Sequence, residues 1–232
     1  MTVLSRPVLY SGPLSMFGAK AQTAALEKDI DVEVVMVPFE MRTLYQPKHP
    51  EVLRINPKQQ VPVLIHGDVE IFDSTQIFEY FEDLQPEPPL WPRDRVMRAQ
   101  ARLLEMKSDE VFFPPIIRLM GLQGTPSDPA AVSAREAAAD YYRQIDELLQ
   151  GGREFLAGPY SFADIAFYMA QIFADRMGAP MPQSATHLLA WRERMGQRSP
   201  VRQVAGAMGR YLLSQQRPLP AFLQRIVANG EA

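Results

Sequence analysis

The 232-residue sequence predicts a two-domain protein, in which a mixed α/β domain comes first and an all-α domain follows. Short β-branched runs alternate with helical segments over residues 7–85, whereas residues 93–228 carry almost only helical patterns. Between them, the segment from Gln85 to Pro92 has four prolines in eight residues, which suits neither a helix nor a central strand. We therefore predict a first domain at 1–85, a stiff linker at 86–92 and a helical domain at 93–232.

The elements of the first domain follow from local composition and turn chemistry. Ser11-Gly12-Pro13 is a turn after a short apolar strand, and Gly67-Asp68 is the loop of a hairpin. The stretch from Val32 to Val37 is mostly valine, which predicts a largely buried strand. The predicted order is strand 7–10, helix 17–29, strand 32–37, an irregular stretch at 40–57 with helical pieces before Pro57, strands 61–65 and 69–72, and helix 73–84.

The second domain is predicted to hold about five helices. Gly151-Gly152 and Gly178 follow the second and the third of them, where glycine commonly ends a helix. Pro114-Pro115 falls inside the first helix and should kink it, because the proline ring clashes with the preceding turn. The predicted helices cover 93–121, 129–150, 161–177, 184–197 and 199–215.

The composition excludes several classes of function. With 24 basic and 27 acidic side chains, the chain has a formal charge of −3 and no basic excess for a phosphate backbone, which argues against nucleic-acid binding. Cysteine is absent, so the chain has no disulfide, no thiolate metal site and no cysteine nucleophile. The three histidines, His49, His66 and His187, lie far apart and form no HExxH motif, so no bound metal is predicted.

No segment predicts export or membrane insertion. Arg6 and Pro7 precede only the apolar stretch Val8-Leu9-Tyr10, which is too brief for the apolar region of a signal peptide. No apolar run approaches the roughly 18 residues of a membrane span. The sequence therefore predicts a cytoplasmic protein without a membrane partner.

Several motifs carry a resemblance to a known family. The order strand-helix-strand, then strand-strand-helix, with Pro62 at the start of the third strand, is typical of thioredoxin-like domains. Further motifs resemble those of cytosolic glutathione transferases, in particular serine-type, bacterial-like members. They are Leu9-Tyr10 with Ser15, Ala24-Ala25-Leu26-Glu27-Lys28, Asn56 to Leu64, Phe72-Asp73-Ser74-Thr75, Phe155-Leu156-Ala157-Gly158 and Tyr160 to Ala166. The resemblance covers nearly the whole chain, and the motifs occur in the family's order.

The resemblance implies the glutathione transferase fold: an α/β thioredoxin-like domain that binds glutathione, then an all-α domain that contributes the acceptor-substrate site. It implies a detoxification enzyme that joins the glutathione thiolate to a small, apolar electrophile. Glutathione would be a co-substrate, and no bound cofactor is expected. The implied protein partner is a second copy of the chain, because family members form homodimers in which the first domain of one subunit meets the helical domain of the other.

Ser15 is the candidate catalytic residue. It follows a turn and opens a helix, where its hydroxyl can donate to an anion and the helix N-terminus adds positive potential. A thiol at this point would ionise more easily, although a serine at a helix start is usually only an N-cap. The resemblance implies that Ser15 holds the glutathione thiolate. Ser11 and Tyr10 remain the alternatives, and Tyr10 is expected to point into the core.

Gln60, Val61 and Pro62 are candidate glutathione-binding residues. Taken alone, a proline that begins an apolar strand is a trans proline at a sheet edge. The resemblance implies a cis Val61–Pro62 bond instead, which would turn the Val61 N–H and C=O toward the peptide of glutathione. It also implies that Gln60 lies near the glycyl carboxylate, where Lys58 could add charge.

Asp73 and Ser74 are the remaining candidates for glutathione binding. Asp73 and Gln76 form a capping-box pattern, and the free N–H groups of such a helix start attract a carboxylate. The resemblance implies that Asp73 binds the α-amino group of the γ-glutamyl end and that Ser74 binds its α-carboxylate. Asp stands here where Glu or Gln is more frequent in the family.

Two groups of residues in the second domain are expected to be structural. Ser161 and Asp164 form a capping-box pattern with a role in folding. An apolar cluster surrounds the proline pair, and such a cluster is more often core than pocket, although the resemblance places the corresponding helix beside the acceptor site. Its members are Phe112, Phe113, Ile116, Ile117 and Met120.

Two other functions stay open within the same resemblance. A glutathione-dependent lyase, isomerase or ether-cleaving enzyme would share the thiol site and differ in the acceptor pocket. A non-catalytic binding protein is the other; such members often lose the acid–serine pair or the thiol-stabilising hydroxyl, whereas Asp73, Ser74 and Ser15 are all present here. The lack of cysteine argues against the branches that reduce mixed disulfides.

Overall fold

A computed structural model describes residues 6–228 of the chain. The described residues divide into two compact units, one of residues 6–89 with 202–228 and the other of residues 90–201. The division after Pro89 falls in the proline-rich segment that is predicted to be the linker. The first unit also takes in residues 202–228, which the sequence-based boundaries assign to the helical domain.

A four-stranded mixed sheet is the centre of the first unit. Its strands are β1 (Val8–Ser11), β2 (Glu33–Met36), β3 (Val63–His66) and β4 (Val69–Phe72), in the spatial order β2-β1-β3-β4. Strand β1 runs parallel to β2 and antiparallel to β3, and β3 and β4 form a hairpin around Gly67-Asp68. Helices α1 (Met16–Glu27) and α3 (Ser74–Leu84) complete the predicted thioredoxin-like order, which is confirmed. Helix α2 (Pro50–Ile55) lies in the stretch at 40–57 that is predicted to be irregular with helical pieces.

Alternate residues of the strands face two separate apolar clusters, as the two-residue period of a strand requires. Leu9 and Leu64 pack on one face with Ala21 of α1 and Phe81 of α3. On the other face, Val63 packs with Val52 of α2, and the half-buried Tyr10 lies against this second cluster. Tyr10 therefore contributes to the core, as predicted, but on the face that carries α2.

The prediction that the valine-rich strand is largely buried is wrong. In β2, Val34 keeps 39% and Met36 keeps 47% of its surface exposed within the single chain. The reason is that β2 lies at the edge of the sheet and has a neighbouring strand, β1, on one side only. Composition alone cannot reveal an edge position, because the strand order depends on contacts between distant parts of the chain.

The second unit is built from helices. They are α4 (Arg95–Lys107), α5 (Phe113–Gly121), α6 (Pro129–Gln150), α7 (Phe162–Arg176) and α8 (Thr186–Gln197); α9 (Ser199–Ser214) begins in this unit, and α10 (Ala221–Ala228) belongs to the first unit. Helix α10 was not expected from the sequence. The helix predicted at 93–121 is interrupted by a π-helical turn at Ser108–Phe112, and Pro114 lies in the first turn of α5. The π turn precedes the proline pair because proline has no N–H for the regular α-helical bond.

Aromatic side chains fill the core of the second unit. The ring of Phe112 lies 5.2 Å from that of Phe167 and 5.1 Å from that of Tyr141, between ring centres. Of the predicted apolar cluster, Phe112, Phe113 and Ile116 are buried, whereas Ile117 and Met120 are exposed. The α-helical period explains the split, since these last two positions fall on the outer face of α5.

Asp164 closes the N-terminus of α7, and the predicted capping box with Ser161 is confirmed. The fully buried carboxylate accepts hydrogen bonds from the backbone N–H groups of Leu156 (2.9 Å) and Ser161 (3.0 Å), from Ser161 Oγ (3.1 Å) and from Trp191 Nε1 (2.9 Å). Burial raises the pKa of Asp164 to about 6, and these four donors oppose the rise because they favour the carboxylate.

Within residues 6–228, no helix is both long and apolar enough to cross a membrane. Over the same residues, the structure brings no three histidine or carboxylate side chains together in a way that could hold a metal ion.

Candidate functional site

The strand register brings the three predicted site segments to one end of the sheet. Tyr10 of β1 pairs with Val63 of β3, and Val63 pairs with Phe72 of β4. The turn after β1, the residues before β3 and the residues after β4 therefore lie side by side. Adjacent strands are about 4.8 Å apart, so the site extends over about 10 Å across three strands.

Ser15 is the N-cap of α1 and is 8% exposed. Its Oγ accepts a hydrogen bond from the backbone N–H of Gly18 at 3.0 Å, and its own N–H donates to the carbonyl of Gly12 at 3.0 Å. The capping role that the sequence suggests is therefore real. It uses a lone pair of the hydroxyl oxygen, so the O–H remains able to donate to an anion at the positive end of the helix.

The two alternatives to Ser15 have different surroundings. Ser11 is completely buried, its Oγ accepts a hydrogen bond from Gln22 Nε2 at 2.8 Å, and a Cβ at Gly18 would overlap it. This hydroxyl is therefore covered by α1. The ring of Tyr10 packs on the α2 side of the sheet, with its centre 4.8 Å from that of His49.

Asn56 shapes the turn that leads to Gln60 and Val61. Its Nδ2 donates to the carbonyl of Gln60 at 2.6 Å, and its Oδ1 accepts from the N–H of Lys58 at 2.9 Å. Gln59 adopts the left-handed region with φ of 54°, and its N–H donates to the carbonyl of Asn56 at 2.8 Å. Asn56 is buried, and no role is predicted for it from the sequence. The available signal is that an asparagine side chain often forms a turn by bonding the backbone two residues on, here at Lys58.

The Val61–Pro62 peptide bond is cis, which confirms that prediction. Pro62 is buried, Val61 is half-buried, and the side chain of Gln60 is exposed. Val61 lies outside the helices and strands, and within residues 6–228 its N–H and C=O form no hydrogen bond to another backbone group. Its N–H and C=O are therefore available to a ligand at this end of the sheet.

Asp73 is the N-cap of α3 and has an unusual backbone conformation. Its Oδ1 accepts from the N–H groups of Thr75 at 3.0 Å and Gln76 at 3.4 Å, so the accepting half of the predicted capping box forms. Its φ is 79°, which costs on the order of 1–3 kcal/mol for a residue with a side chain. Ser74 follows as the first residue of α3 and is 2% exposed.

Comparison with known proteins identifies the family of both parts of the chain. The sequence model of the glutathione S-transferase N-terminal domain matches residues 9–89, and that of the C-terminal domain matches residues 97–199. Glutathione S-transferase 1 of Dianthus caryophyllus is 31% identical over 192 residues, which cover 78% of this chain and 82% of that protein. More than three quarters of the chain thus align with a transferase, and both halves match the family. The chain belongs to the glutathione S-transferase family.

Two further similarities show how varied the matching proteins are. Maleylacetoacetate isomerase of Rattus norvegicus is 29% identical over 175 residues, which cover 74% of this chain and 79% of that protein. Among solved structures, FzlA from C. crescentus matches with a TM-score of 0.76 and 26% identity, covering 87% of this chain and 92% of that one. Family membership therefore establishes the fold, and the reaction has to be argued from the site.

Proposed function

We propose that the protein is a glutathione transferase that acts in the cytoplasm on a small, apolar electrophile. The observation that carries the proposal is the register of β1, β3 and β4, because it gathers Ser15, Val61 and Asp73 at one end of the sheet. The Ser15 hydroxyl at the start of α1 suits the thiol of glutathione, and the backbone of Val61 suits its peptide. The Asp73 carboxylate at the start of α3 suits its γ-glutamyl end.

In this proposal each end of glutathione has its own partner. The peptide lies along Val61, where main-chain hydrogen bonds extend the sheet as an added strand does. The γ-glutamyl carboxylate binds at the start of α3 near Ser74, and the ammonium group pairs with the Asp73 carboxylate. Gln60 lies at the other end of the peptide, near the glycyl carboxylate.

Ser15 acts on the sulfur. The thiol loses its proton to solvent, and the Ser15 O–H donates to the resulting thiolate while the positive end of α1 adds stabilisation. The thiolate electron pair then forms the S–C bond, and the electrophile releases a leaving group or accepts the electrons of its π bond. The catalytic gain is the ionisation of the thiol together with the proximity of the two reactants.

A glutathione-dependent isomerase is the second candidate, and the similarity to maleylacetoacetate isomerase favours it. It would use the same thiolate, which adds to a double bond and is later released. The fate of glutathione distinguishes the two reactions: a transferase consumes one thiol for each product, whereas an isomerase regenerates it. Thiol titration during turnover separates them, with an aryl halide as the transferase probe and maleylacetoacetate as the isomerase probe.

Calorimetric titration with glutathione tests the proposal before any acceptor is known. We expect binding with a Kd in the micromolar to millimolar range and, with an electrophile panel, turnover that consumes thiol. Binding without turnover on either probe would favour the non-catalytic alternative, and the absence of binding would overturn the glutathione site itself.

We also propose that the protein is a C2 homodimer. The support within the chain is an apolar stripe on α4 formed by Val96, Ala99, Leu103 and Met106, with exposed fractions of 59% at Val96 and 48% at Leu103. The spacing of three and four residues is that of a helix–helix seam. Light scattering at micromolar concentration should give a dimer, which Leu103→Glu should dissociate and Val132→Glu, an exposed position on α6, should not. A monomeric wild-type protein would refute the proposal.

A further inference from the structure

We infer that Tyr211, on helix α9, is a positioning residue for Ser15. It acts through Phe39 and Tyr45 on the turn that holds Ser15, and all of these residues belong to the first unit. The catalytic part of this inference rests on the proposed function, whereas the structural coupling does not.

The first contact joins α9 to the segment after β2. Tyr211 Oη donates a hydrogen bond to the carbonyl of Phe39 at 3.1 Å, and the two rings meet edge to face with 5.9 Å between their centres. Burial and the nearby Glu40 carboxylate raise the pKa of Tyr211 above its ordinary value, so the hydroxyl remains a donor at neutral pH. The hydrogen bond and the ring contact together fix the position of Phe39.

The second contact passes from Phe39 to Tyr45 across a closed loop. The ring centres lie 4.7 Å apart. Between these residues, the N–H of Glu40 donates to the carbonyl of Leu44 at 2.9 Å, and the N–H of Leu44 donates back at 2.6 Å. The two bonds close the loop on itself, so Phe39 and Tyr45 are held as a pair.

The third contact reaches the turn that precedes α1. The Tyr45 ring lies directly against Gly12, so closely that a Cβ at Gly12 would overlap it. The carbonyl of the same glycine accepts the N–H of Ser15 at 3.0 Å. The ring therefore packs on the residue that orients the start of α1, and a side chain at Gly12 would displace the ring.

These three contacts connect a helix near the end of the chain to the proposed thiol site. Loss of the Tyr211 hydrogen bond would let Phe39 and Tyr45 shift, and the Gly12–Ser15 turn would lose its support on that side. A misplacement of about 1 Å is enough to weaken a hydrogen bond that must meet a developing thiolate. We therefore expect an effect on the chemical step rather than on the binding of glutathione.

The experiment compares two variants that make the same chemical change. Tyr211→Phe removes the hydroxyl that donates to the Phe39 carbonyl. Tyr142→Phe is the matched control, because its hydroxyl also donates to a backbone carbonyl, that of Ala179 at 2.9 Å, in the second unit. For each protein we would measure hydrogen exchange at the Ser15 amide, the pH at which bound glutathione ionises, and kcat and KM.

In Tyr211→Phe, the Ser15 amide should exchange about three- to tenfold faster, and kcat should fall by a similar factor. The KM for glutathione should stay within about twofold, and the bound thiol should ionise at higher pH. The control should leave all four quantities unchanged even where it lowers the melting temperature. Unchanged Ser15 exchange and thiol ionisation in Tyr211→Phe would overturn the inference.

A second pair of variants tests the same coupling if Tyr211→Phe folds poorly. Gly12→Ala forces a methyl group into the Tyr45 ring and should lower kcat more than Tyr211→Phe, and adding Tyr45→Leu should restore part of the loss by making room. Gly12→Ala without a kinetic or exchange effect would refute the inference. If the wild-type protein neither binds glutathione nor turns over, the proposed function fails, but the exchange rate at Ser15 still decides whether the coupling exists.

Discussion

Helices α3 and α7 both begin at a residue whose side chain caps the helix, but the two caps have opposite surroundings. At α7, Asp164 and Ser161 satisfy each other within a completely buried network. At α3, Asp73 accepts two backbone N–H groups from a half-buried position with φ of 79°. Helix α7 buries 13 of its 15 residues, whereas α3 buries four of its 11.

The comparison separates a cap that stabilises from a cap that can also bind. The donors and acceptors of the buried cap are all paired, so none of them is available to a ligand. A substitution there would leave buried groups unpaired and lower the free energy of unfolding. The cap at the end of the sheet is accessible and keeps a backbone conformation that costs free energy. Such a cost persists in a native protein where another requirement maintains it, and we propose that glutathione binding is that requirement here.

The largest effect is expected from Asp164→Ala. Removal of the carboxylate leaves buried donors unpaired, those of Leu156, Ser161 and Trp191, so the free energy of unfolding should fall by about 3–5 kcal/mol. Urea denaturation measures it. Asp94→Ala is the control, because Asp94 caps α4 from an exposed position, and it should cost about 1 kcal/mol. Equal losses in the two variants would remove the distinction between buried and exposed caps.

The stability of the wild-type protein should also depend on pH through Asp164. Its pKa is about 6 in the folded chain and 3.8 as the ordinary value, so the folded state binds more protons between these values. The part of the stability that comes from this pKa difference is therefore fully present below pH 4 and is lost as the pH rises through 6, by up to about 3 kcal/mol. The difference in unfolding free energy between wild type and Asp164→Asn, measured from pH 4 to 7, should fall along this curve; a flat difference would show that the four donors cancel the effect of burial.

Much of this comparison can be predicted from the sequence, because caps and hairpins are local. The Ser161–Asp164 box, the Gly67-Asp68 hairpin and the Asp73 cap all lie within a few residues and have strong residue preferences. The cis bond before Pro62 came only from the family resemblance, since most such bonds are trans.

The features that sequence reasoning missed are non-local. The exposure of β2 depends on which strand lies at the edge, and the packing of Tyr45 on Gly12 joins residues far apart in the chain. Helix α10 and the hydrogen bond from Tyr211 to Phe39 likewise depend on the return of the C-terminal segment to the first unit. No residue preference within a short window encodes such contacts.

Ser15→Ala should have the next largest effect, on turnover. The hydroxyl is proposed to donate to a charged sulfur, and such a bond is worth about 1.5–3 kcal/mol, so kcat/KM should fall roughly ten- to a hundredfold. Glutathione affinity should change less. Ser11→Ala is the comparison, because the Ser11 hydroxyl is covered by α1 and should matter for stability alone. A crippling Ser11→Ala with a silent Ser15→Ala would reverse the assignment.

Asp73→Asn should give the smallest effect, and it tests the binding half of the comparison directly. Asparagine caps a helix about as well as aspartate and tolerates positive φ, so the melting temperature of the protein without glutathione should be almost unchanged. The substitution removes the charge that is proposed to face the ammonium group of the γ-glutamyl end. The Kd for glutathione should therefore rise about tenfold, roughly 1.4 kcal/mol. Asp94→Asn, the same change at the exposed cap of α4, should leave both quantities as in the wild type. If calorimetric titration finds unaltered affinity in Asp73→Asn, Asp73 is only a cap, and the strain at φ of 79° must have another cause.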